Sequence, residues 1–251
     1  MAELVGYEFR APIAHVTLDN PAKRNALTAA TLAQLRKCLD RARADDTCRA
    51  LVLAANGEDF CAGMDLDAVA DADAASAMAQ DFWACLQHIH QSRYPVVAAV
   101  DGKAMGGGLG LAAACDLVIA SPQASFSTPE AVIGMVPALI APFLQRRLSP
   151  ARLRYLALST RSLTAAEAHI YGIVDEVAEP SLERALARQL KRLRRSSPQA
   201  LARIKEYTDQ LAPPLQKELA LETLSDWIER PETRSALVDF SQGLTPPWFG
   251  R

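Results

Sequence analysis

The chain has no excess of charge of either sign. Its 251 residues carry 27 lysines and arginines against 29 acidic residues, a net charge of −2. Such a balance gives no electrostatic reason to expect nucleic acid or an anionic membrane as a partner. The sequence also lacks an apolar run of membrane-spanning length, and its N-terminus lacks the basic and apolar regions of a secretory signal. We therefore expect a soluble cytoplasmic protein.

Cysteine and histidine show none of the spacings that hold a metal. The five cysteines, at positions 38, 48, 61, 85 and 115, are odd in number and include no C-x-x-C pair. This argues against a disulfide framework and favours a reducing compartment. The four histidines form no H-x-x-x-H, and G-x-S-x-G is absent, so neither a metal site nor a serine hydrolase is indicated. We expect no metal and no cofactor other than a carrier of the substrate.

What the sequence does contain is an alternation of short apolar runs with helical patterns. Strand patterns at residues 13–18, 49–54 and 96–100 are separated by helical spacing at 28–43 and 67–91, and we expect a further helix at 139–148, after Pro137. Half of the residues are apolar, enough for a sizeable core. This order is typical of an α/β fold.

The last part of the chain contains helical patterns alone. Ser197-Pro198 places an N-cap before a proline at the first helical position, and Thr164-Ala-Ala-Glu167 is a capping box. We divide the chain into a core at residues 1–195 and a helical region at 196–251. Because about 55 residues are too few to bury a core of their own, we expect this region to pack on the core or on another subunit.

The most informative stretch is a glycine triplet between a strand and a helix. Gly106, Gly107 and Gly108 leave backbone amides open to a ligand at a helix start, where they stabilise an oxygen that acquires negative charge. Tight packing of helix on strand is the plain alternative. Residues 108–113 also satisfy the dinucleotide pattern G-x-G-x-x-A, although residues 101–105 separate them from the strand and no acid follows for a ribose.

A second glycine-containing loop, residues 59–66, follows the strand at 49–54. The carboxyl ends of parallel strands are where open α/β sheets bind ligands. Alone, this loop would be an ordinary strand-to-helix connection. Two such loops after consecutive strands favour an oxyanion hole, in which two amides face one oxygen.

Glu130 is the candidate acid/base. It lies between Pro129 and an apolar turn at residues 131–134. Apolar surroundings raise the pKa of a carboxyl toward neutrality, where it can both take and return a proton. A capping or solvated glutamate at a helix start explains the same pattern equally well.

Together these segments resemble the crotonase (enoyl-CoA hydratase/isomerase) superfamily, in its order and over nearly the whole chain. The matching segments are residues 18–27 at the substrate entry, 60–66 and 104–110 at the oxyanion hole, 126–130 with 134–137 at the acid/base turn, and 164–168 with 171–175. The resemblance implies a spiral of ββα units with a helical C-terminal trimerisation region. It also implies acyl thioester substrates, carried on coenzyme A or phosphopantetheine, and a homotrimer or hexamer.

The resemblance also implies roles for single residues. It places the thioester oxygen on the amides of Met64 and Gly107, and proton transfer on Glu130. The positions at which it implies substrate binding are Lys23, Arg24, Ala26, Ala62, Asp65, Leu66 and Gly106.

One position departs from the two-carboxylate hydratases of this superfamily, which carry a second glutamate where this chain has Gly110. Single-glutamate relatives include Δ3–Δ2 enoyl-CoA isomerases, methylglutaconyl-CoA hydratase-like proteins and the dehydratases of polyketide β-branching. The Pro-Pro-Trp ending at 246–248 resembles the last group. We therefore expect dehydration of a 3-hydroxy-3-methylglutaryl thioester to the 3-methylglutaconyl thioester, on coenzyme A or an acyl carrier protein. An isomerase, an enoyl-CoA hydratase and a non-catalytic scaffold trimer are the alternatives.

Overall fold

The strands of the chain form two sheets. The structure, a computed structural model, describes residues 2–65, 72–246, 248 and 249, and for residues 72–74 the backbone alone. The strands in these ranges are β1 Val5–Arg10, β2 Ile13–Leu18, β3 Ala50–Ala55, β4 Val96–Val100, β5 Lys103–Met105, β6 Leu117–Ala120, β7 Ser125–Ser127, β8 Leu163–Thr164 and β9 Glu176–Val177. The larger sheet has the order β1-β2-β3-β4-β6-β9 and is parallel apart from the β1–β2 pair. The smaller sheet has the order β5-β7-β8.

Helices follow the strands and then make up the C-terminal region. Their bounds are α1 Ala29–Ala44, α2 Ala72–His90, α3 Gly107–Ala114, α4 Ala141–Leu144, α5 Pro150–Ser159, α6 Ala165–Tyr171, α7 Leu182–Arg195, α8 Pro198–Leu211, α9 Lys217–Ile228 and α10 Pro231–Ser241. In the described ranges, 3-10 turns lie at Pro21–Lys23 and Glu130–Ile133. The α/β class is confirmed.

The helix starts use the predicted capping chemistry. The side chain of Thr28 accepts from the amide of Thr31, and Ser197 accepts from Ala200 in the same way. The capping box is complete, because Thr164 and Glu167 each bond the other's backbone amide. Each cap satisfies amides that the first helical turn leaves without a partner.

The structure differs from the sequence-based expectation at two places, and a third place cannot be compared. The helix expected at residues 139–148 is only Ala141–Leu144, because the following turns close with shorter bonds such as Arg147 N to Leu144 O. The three-residue strand β5, too short to give a period-2 pattern, was not predicted. The start of the second helix, residues 67–71, lies outside the described residues.

The larger sheet is buried on both faces. One face packs on α7, whose leucines 182, 186, 190 and 193 recur at helical spacing and meet residues such as Val52 and Val97. The opposite face carries the main core, to which α1, α2 and α3 contribute. The five cysteines are all buried and unpaired. None of the helices in the described ranges combines the length and apolar character needed to cross a bilayer.

Helix α8 is fixed to the core by an ion pair. Lys205 Nζ lies 2.6 Å from Asp116 Oδ2 and 3.0 Å from the carbonyl oxygen of Tyr94. The same Asp116 oxygen accepts from the amide of Val96, 2.7 Å away. One carboxylate therefore joins the helical region to the start of β4. The homotrimer or hexamer expected from the resemblance stays a prediction.

We expect Asp116→Ala to destabilise the fold by about 2–3 kcal/mol, because it leaves a partly buried ammonium and a buried amide without their acceptor. Urea denaturation followed by circular dichroism measures this loss. Asp46→Ala is the matched control, because its ion pair with Arg93 is solvent-exposed and should cost below about 0.5 kcal/mol. Equal losses for the two variants would contradict the anchoring role of Asp116.

Candidate active site

The candidate site is an apolar cavity of about 320 Å³ between the glycine loops and the C-terminal helices. Its wall includes Met64 and Gly107 from the two loops, Phe82 from α2, and Leu237 and Phe240 from α10. The charged residues in its described lining are Arg24 and Glu130. A cavity of this composition suits a mainly hydrocarbon acyl group with chemistry confined to one polar spot.

The glycine-containing loop at residues 59–66 pairs with the substrate-entry segment, residues 18–27. Leu27 and Met64 form an isolated parallel bridge, in which the Leu27 amide donates to the Gly63 carbonyl at 2.8 Å and the Asp65 amide donates to the Leu27 carbonyl at 3.0 Å. Gly63 has φ +93°, a conformation that glycine adopts without strain. The loop backbone is thereby fixed before any substrate arrives.

The two glycine loops are bonded directly to each other. The Cys61 amide donates to the Lys103 carbonyl, and the Met105 amide donates to the Cys61 carbonyl, both at 3.0 Å. The two loops also meet at Gly108, where an added Cβ would lie 2.3 Å from the Cys61 carbonyl oxygen. A Cβ at Gly63 would lie 3.3 Å from the Gly107 nitrogen. The glycines are needed here because backbone packs on backbone.

Met64 and Gly107, whose amides the resemblance assigns to the oxyanion hole, both line the cavity. Within the described residues, neither donates a loop, turn or side-chain hydrogen bond. Gly107 is the first residue of α3, so its amide is one of those that a helix leaves unpaired and its position lies at the positive end of the helix dipole. The arrangement offers donors to an oxygen held in the cavity.

Asn25 organises the entry segment, a role the sequence analysis did not assign. Its side chain is buried, donates to the carbonyls of Asn56 and Asp59 at 2.8 Å each, and accepts from the Asn20 amide at 2.8 Å. Its φ of +54° explains an asparagine at this position, because asparagine tolerates the left-handed region. A buried, fully bonded amide between two loops is recognisable only once the fold is known.

Of the predicted substrate-binding residues, three line the cavity and two form an ion pair with each other. Ala62 and Gly106 line the cavity together with Arg24. The Arg24 guanidinium pairs with Asp59 at 2.5 Å, and Lys23 pairs with Asp65 at 3.1 Å, with both basic side chains about half exposed.

The other two predicted substrate-binding positions are not found in the described lining of the cavity. Ala26 is placed just before the Leu27 bridge and is not among the cavity residues. Leu66 lies outside the described residues.

Glu130 points its carboxyl into the cavity beside Gly106. A Cβ at Gly106 would lie 3.1 Å from Glu130 Oε1, so the glycine backbone leaves room for the carboxyl. Glu130 Oε2 is buried and has no hydrogen-bond partner among the described residues. Burial raises the pKa of Glu130 to about 7, partly offset by a hydrogen bond from its own amide. The carboxyl can therefore take up and release a proton near neutral pH.

Position 110 has no room for a second carboxylate. A Cβ at Gly110 would lie 2.3 Å from Ile140 Cγ2 and 3.5 Å from the Phe82 ring. The isoleucine occupies the volume that a longer side chain would need. Glu130 is thus the one carboxyl in the described lining of the cavity.

Comparison with known proteins decides which family the chain belongs to. The model of the enoyl-CoA hydratase/isomerase family matches residues 8–251. The chain belongs to the enoyl-CoA hydratase/isomerase family. A carnitinyl-CoA dehydratase from Salmonella arizonae is 37% identical over 215 residues, which are 83% of this chain and 81% of that protein. The chain is therefore an enzyme of the enoyl-CoA hydratase-like lyase type, and the scaffold and dinucleotide-binding alternatives are set aside.

Solved structures show the same fold. An enoyl-CoA hydratase from Mycobacterium avium superposes with a TM-score of 0.88 at 34% identity, covering 99% of this chain and 100% of the other. A protein described as a polyketide biosynthesis enoyl-CoA hydratase from Bacillus subtilis has a TM-score of 0.89 at 24% identity, covering 98% of this chain and all of the other. The crotonase fold expected from the resemblance is confirmed. At 24% identity the second likeness concerns the fold alone.

We expect Gly108→Ala to lower kcat by at least about 10²-fold, because the added Cβ meets a backbone oxygen and must push the two loops apart, which removes a preset donor. Steady-state kinetics on an acyl thioester measure the effect. Gly6→Ala is the matched control, since the nearest atom to its Cβ is 3.9 Å away. A folded Gly108→Ala enzyme with unchanged kcat would refute this account of the loop contact.

The raised pKa of Glu130 has a consequence for stability. The native carboxyl keeps its proton to about pH 7, whereas the unfolded carboxyl loses it near its ordinary value of 4.5. Between these values the native state binds more protons, so stability falls as pH rises, by about 3 kcal/mol from this group. Glu130→Gln should remove this fall, measured by urea denaturation at pH 5 and pH 8. Glu232→Gln, at an exposed position, should retain it, and an unchanged slope in Glu130→Gln would contradict the burial of the carboxyl.

Proposed function

We propose that the protein eliminates water from a 3-hydroxyacyl thioester, with Glu130 as its acid/base and the amides of Met64 and Gly107 as its oxyanion hole. The observation that carries the proposal is the meeting of one buried carboxyl, whose pKa is about 7, with two available amides in an apolar cavity. Similarity to a protein named carnitinyl-CoA dehydratase supports water elimination as the reaction type.

The reaction needs one carboxyl and two amides. Ionised Glu130 takes the proton from C2, and the electron pair moves onto the thioester oxygen, where the two amides stabilise the enolate by about 3–4 kcal/mol per donor. The enolate then re-forms the carbonyl and expels the hydroxyl at C3, to which Glu130 returns its proton. The C2–H and C3–O bonds break, a C2=C3 double bond forms, water leaves, and Glu130 is ionised again.

A single carboxyl favours a substrate whose hydroxyl leaves readily. With Gly110 packed against Ile140, no second glutamate at that position can activate or protonate the hydroxyl. A tertiary C3 tolerates partial positive charge, so its hydroxyl needs less assistance. This supports a 3-hydroxy-3-methylacyl thioester, of which the 3-hydroxy-3-methylglutaryl thioester expected from the sequence is one member.

The described lining of the cavity offers no unpaired cation for the free carboxylate of the glutaryl group. Arg24 is the basic side chain in the described lining, and it is already paired with Asp59. The segment at residues 66–74 contains three aspartates and no lysine or arginine. The apolar wall therefore favours an acyl group that continues as hydrocarbon beyond C3.

A Δ3–Δ2 enoyl thioester isomerase is the second candidate. It is favoured by the same packing at Gly110 and Ile140, because moving a double bond requires only one proton shuttle and an oxyanion hole. A 3-enoyl thioester supplied to the enzyme distinguishes the two, since only the isomerase gives conjugated product from it.

We expect Glu130-dependent loss of water from both 3-hydroxy-3-methylglutaryl and 3-hydroxy-3-methylbutyryl thioesters, with the lower KM for the neutral butyryl compound. Mass spectrometry follows the loss of water, with each acyl group presented on coenzyme A and on an acyl carrier protein. Because the base must be ionised, kcat/KM should fall below about pH 7.

Glu130→Gln should lower turnover by about 10²–10⁴-fold. Full turnover by this variant would remove Glu130 from the mechanism. Turnover of the glutaryl compound alone would show that a cation beyond the described lining binds its carboxylate.

A further inference from the structure

The turn that carries Glu130 packs on the core through the side chains of Ile133 and Met135. Its backbone bonds are short-range, from the Gly134 amide to the Ala131 carbonyl and from the Met135 amide to the Glu130 carbonyl. Residues 131–138 are half-buried or exposed, whereas the Oε2 atom of Glu130 is buried. A catalytic carboxyl on such a turn needs an external anchor, because small displacements of a reacting group are costly to rate.

Two tryptophans of the C-terminal region supply that anchor. Trp227 Nε1, on α9, donates to the Gly134 carbonyl at 2.6 Å, and Trp248 Nε1 donates to the Val132 carbonyl at 3.2 Å. Within the described residues, these two are the hydrogen bonds that tie residues 130–136 to distant parts of the chain. An indole carries a single donor, so each ring commits its one hydrogen bond to this turn.

The rings also pack against the turn. Gly134 has φ +73°, and a Cβ there would lie 2.6 Å from Trp248 Cη2, so the indole lies directly against the glycine backbone. The guanidinium of Arg230 stacks over Trp227 at 4.0 Å from the ring centre, which fixes that ring in turn. The turn is therefore held between the core and two aromatic side chains.

We propose that Trp227 and Trp248 are positioning residues that hold Glu130 buried beside Gly106. The inference deepens the proposed function and rests on it for its kinetic consequences. It also gives a physical role to the Pro-Pro-Trp ending, which the sequence alone marked only as a resemblance.

Burial, and not a charged neighbour, is the main cause of the raised pKa of Glu130. Burial is the cause of its raised pKa, and its own amide is the cause that lowers it. The charged residues of α5 and α10, which contact the turn, and of the opposite cavity wall are Arg152, Arg154, Glu232, Arg234, Asp239 and Arg24, and burial outweighs them as the cause of the raised pKa of Glu130. Loosening the turn should therefore act through hydration of the carboxyl.

The test replaces each indole by a ring without a donor. In Trp227→Phe, Trp248→Phe and the double variant, we expect the titration midpoint of the Glu130 carboxyl to move below its value of about 7, because water reaches the carboxyl. Difference infrared spectroscopy against Glu130→Gln measures this midpoint without any turnover. In kinetics we expect kcat to fall by about tenfold with KM within about twofold, and the acid limb of kcat/KM to move to lower pH.

Trp83→Phe is the matched control. Trp83 is the third tryptophan of the chain; its Nε1 has no partner among the described residues, and its ring packs on Phe143 at 5.2 Å. This variant should keep the midpoint and kcat. An unmoved midpoint in the folded double variant, or a lower kcat without any change in the pH profile, overturns the inference. A shifted midpoint together with full turnover by Glu130→Gln would instead refute the proposed function and leave the anchoring intact.

Discussion

Backbone contact between the two glycine loops is the constraint on which the site depends. Residues 61 and 104 pair as in a sheet, and the chains then close to a distance at which a single Cβ at Gly108 would collide with the Cys61 oxygen. Because main-chain atoms cannot change rotamer, this contact fixes where the amides of Met64 and Gly107 lie before substrate binds. The strand β5, the buried Asn25 and the bridge at Leu27 all serve to hold that contact.

The second constraint is the free-energy cost of burying the Glu130 carboxyl away from water. The Glu130 carboxyl has a buried oxygen without a hydrogen-bond partner in the part of the chain that the structure describes, which disfavours its ionised form and gives it a pKa of about 7. If Glu130 is the acid/base that we propose, stability and activity are set against each other at this residue. The C-terminal region contributes to this burial. Leu237 and Phe240 of α10 line the cavity, and the indoles of Trp227 and Trp248 donate hydrogen bonds to the turn.

Much of the fold could be predicted because local chemistry specifies it. The strand at Val96–Val100 and the cap at Thr28 follow from apolar runs and side chains whose effects act within a few residues. The candidate residues Glu130, Met64 and Gly107 came from motif resemblance, and the structure places all three on one cavity wall. The helix expected at 139–148 and the unpredicted strand β5 show where local pattern fails, because tertiary packing sets such short elements.

The sequence by itself determined the family, the alternation of strands and helices, and the absence of a glutamate at position 110, since these depend on residue identity and order. Only the tertiary structure decided that Ile140 fills the space beside Gly110, that the described lining of the cavity is mainly apolar, and that tryptophans about 100 residues downstream bond the Glu130 turn. The reason is physical: burial, and the pKa that follows from it, are properties of the atoms that surround a group, and those atoms come from distant parts of the chain.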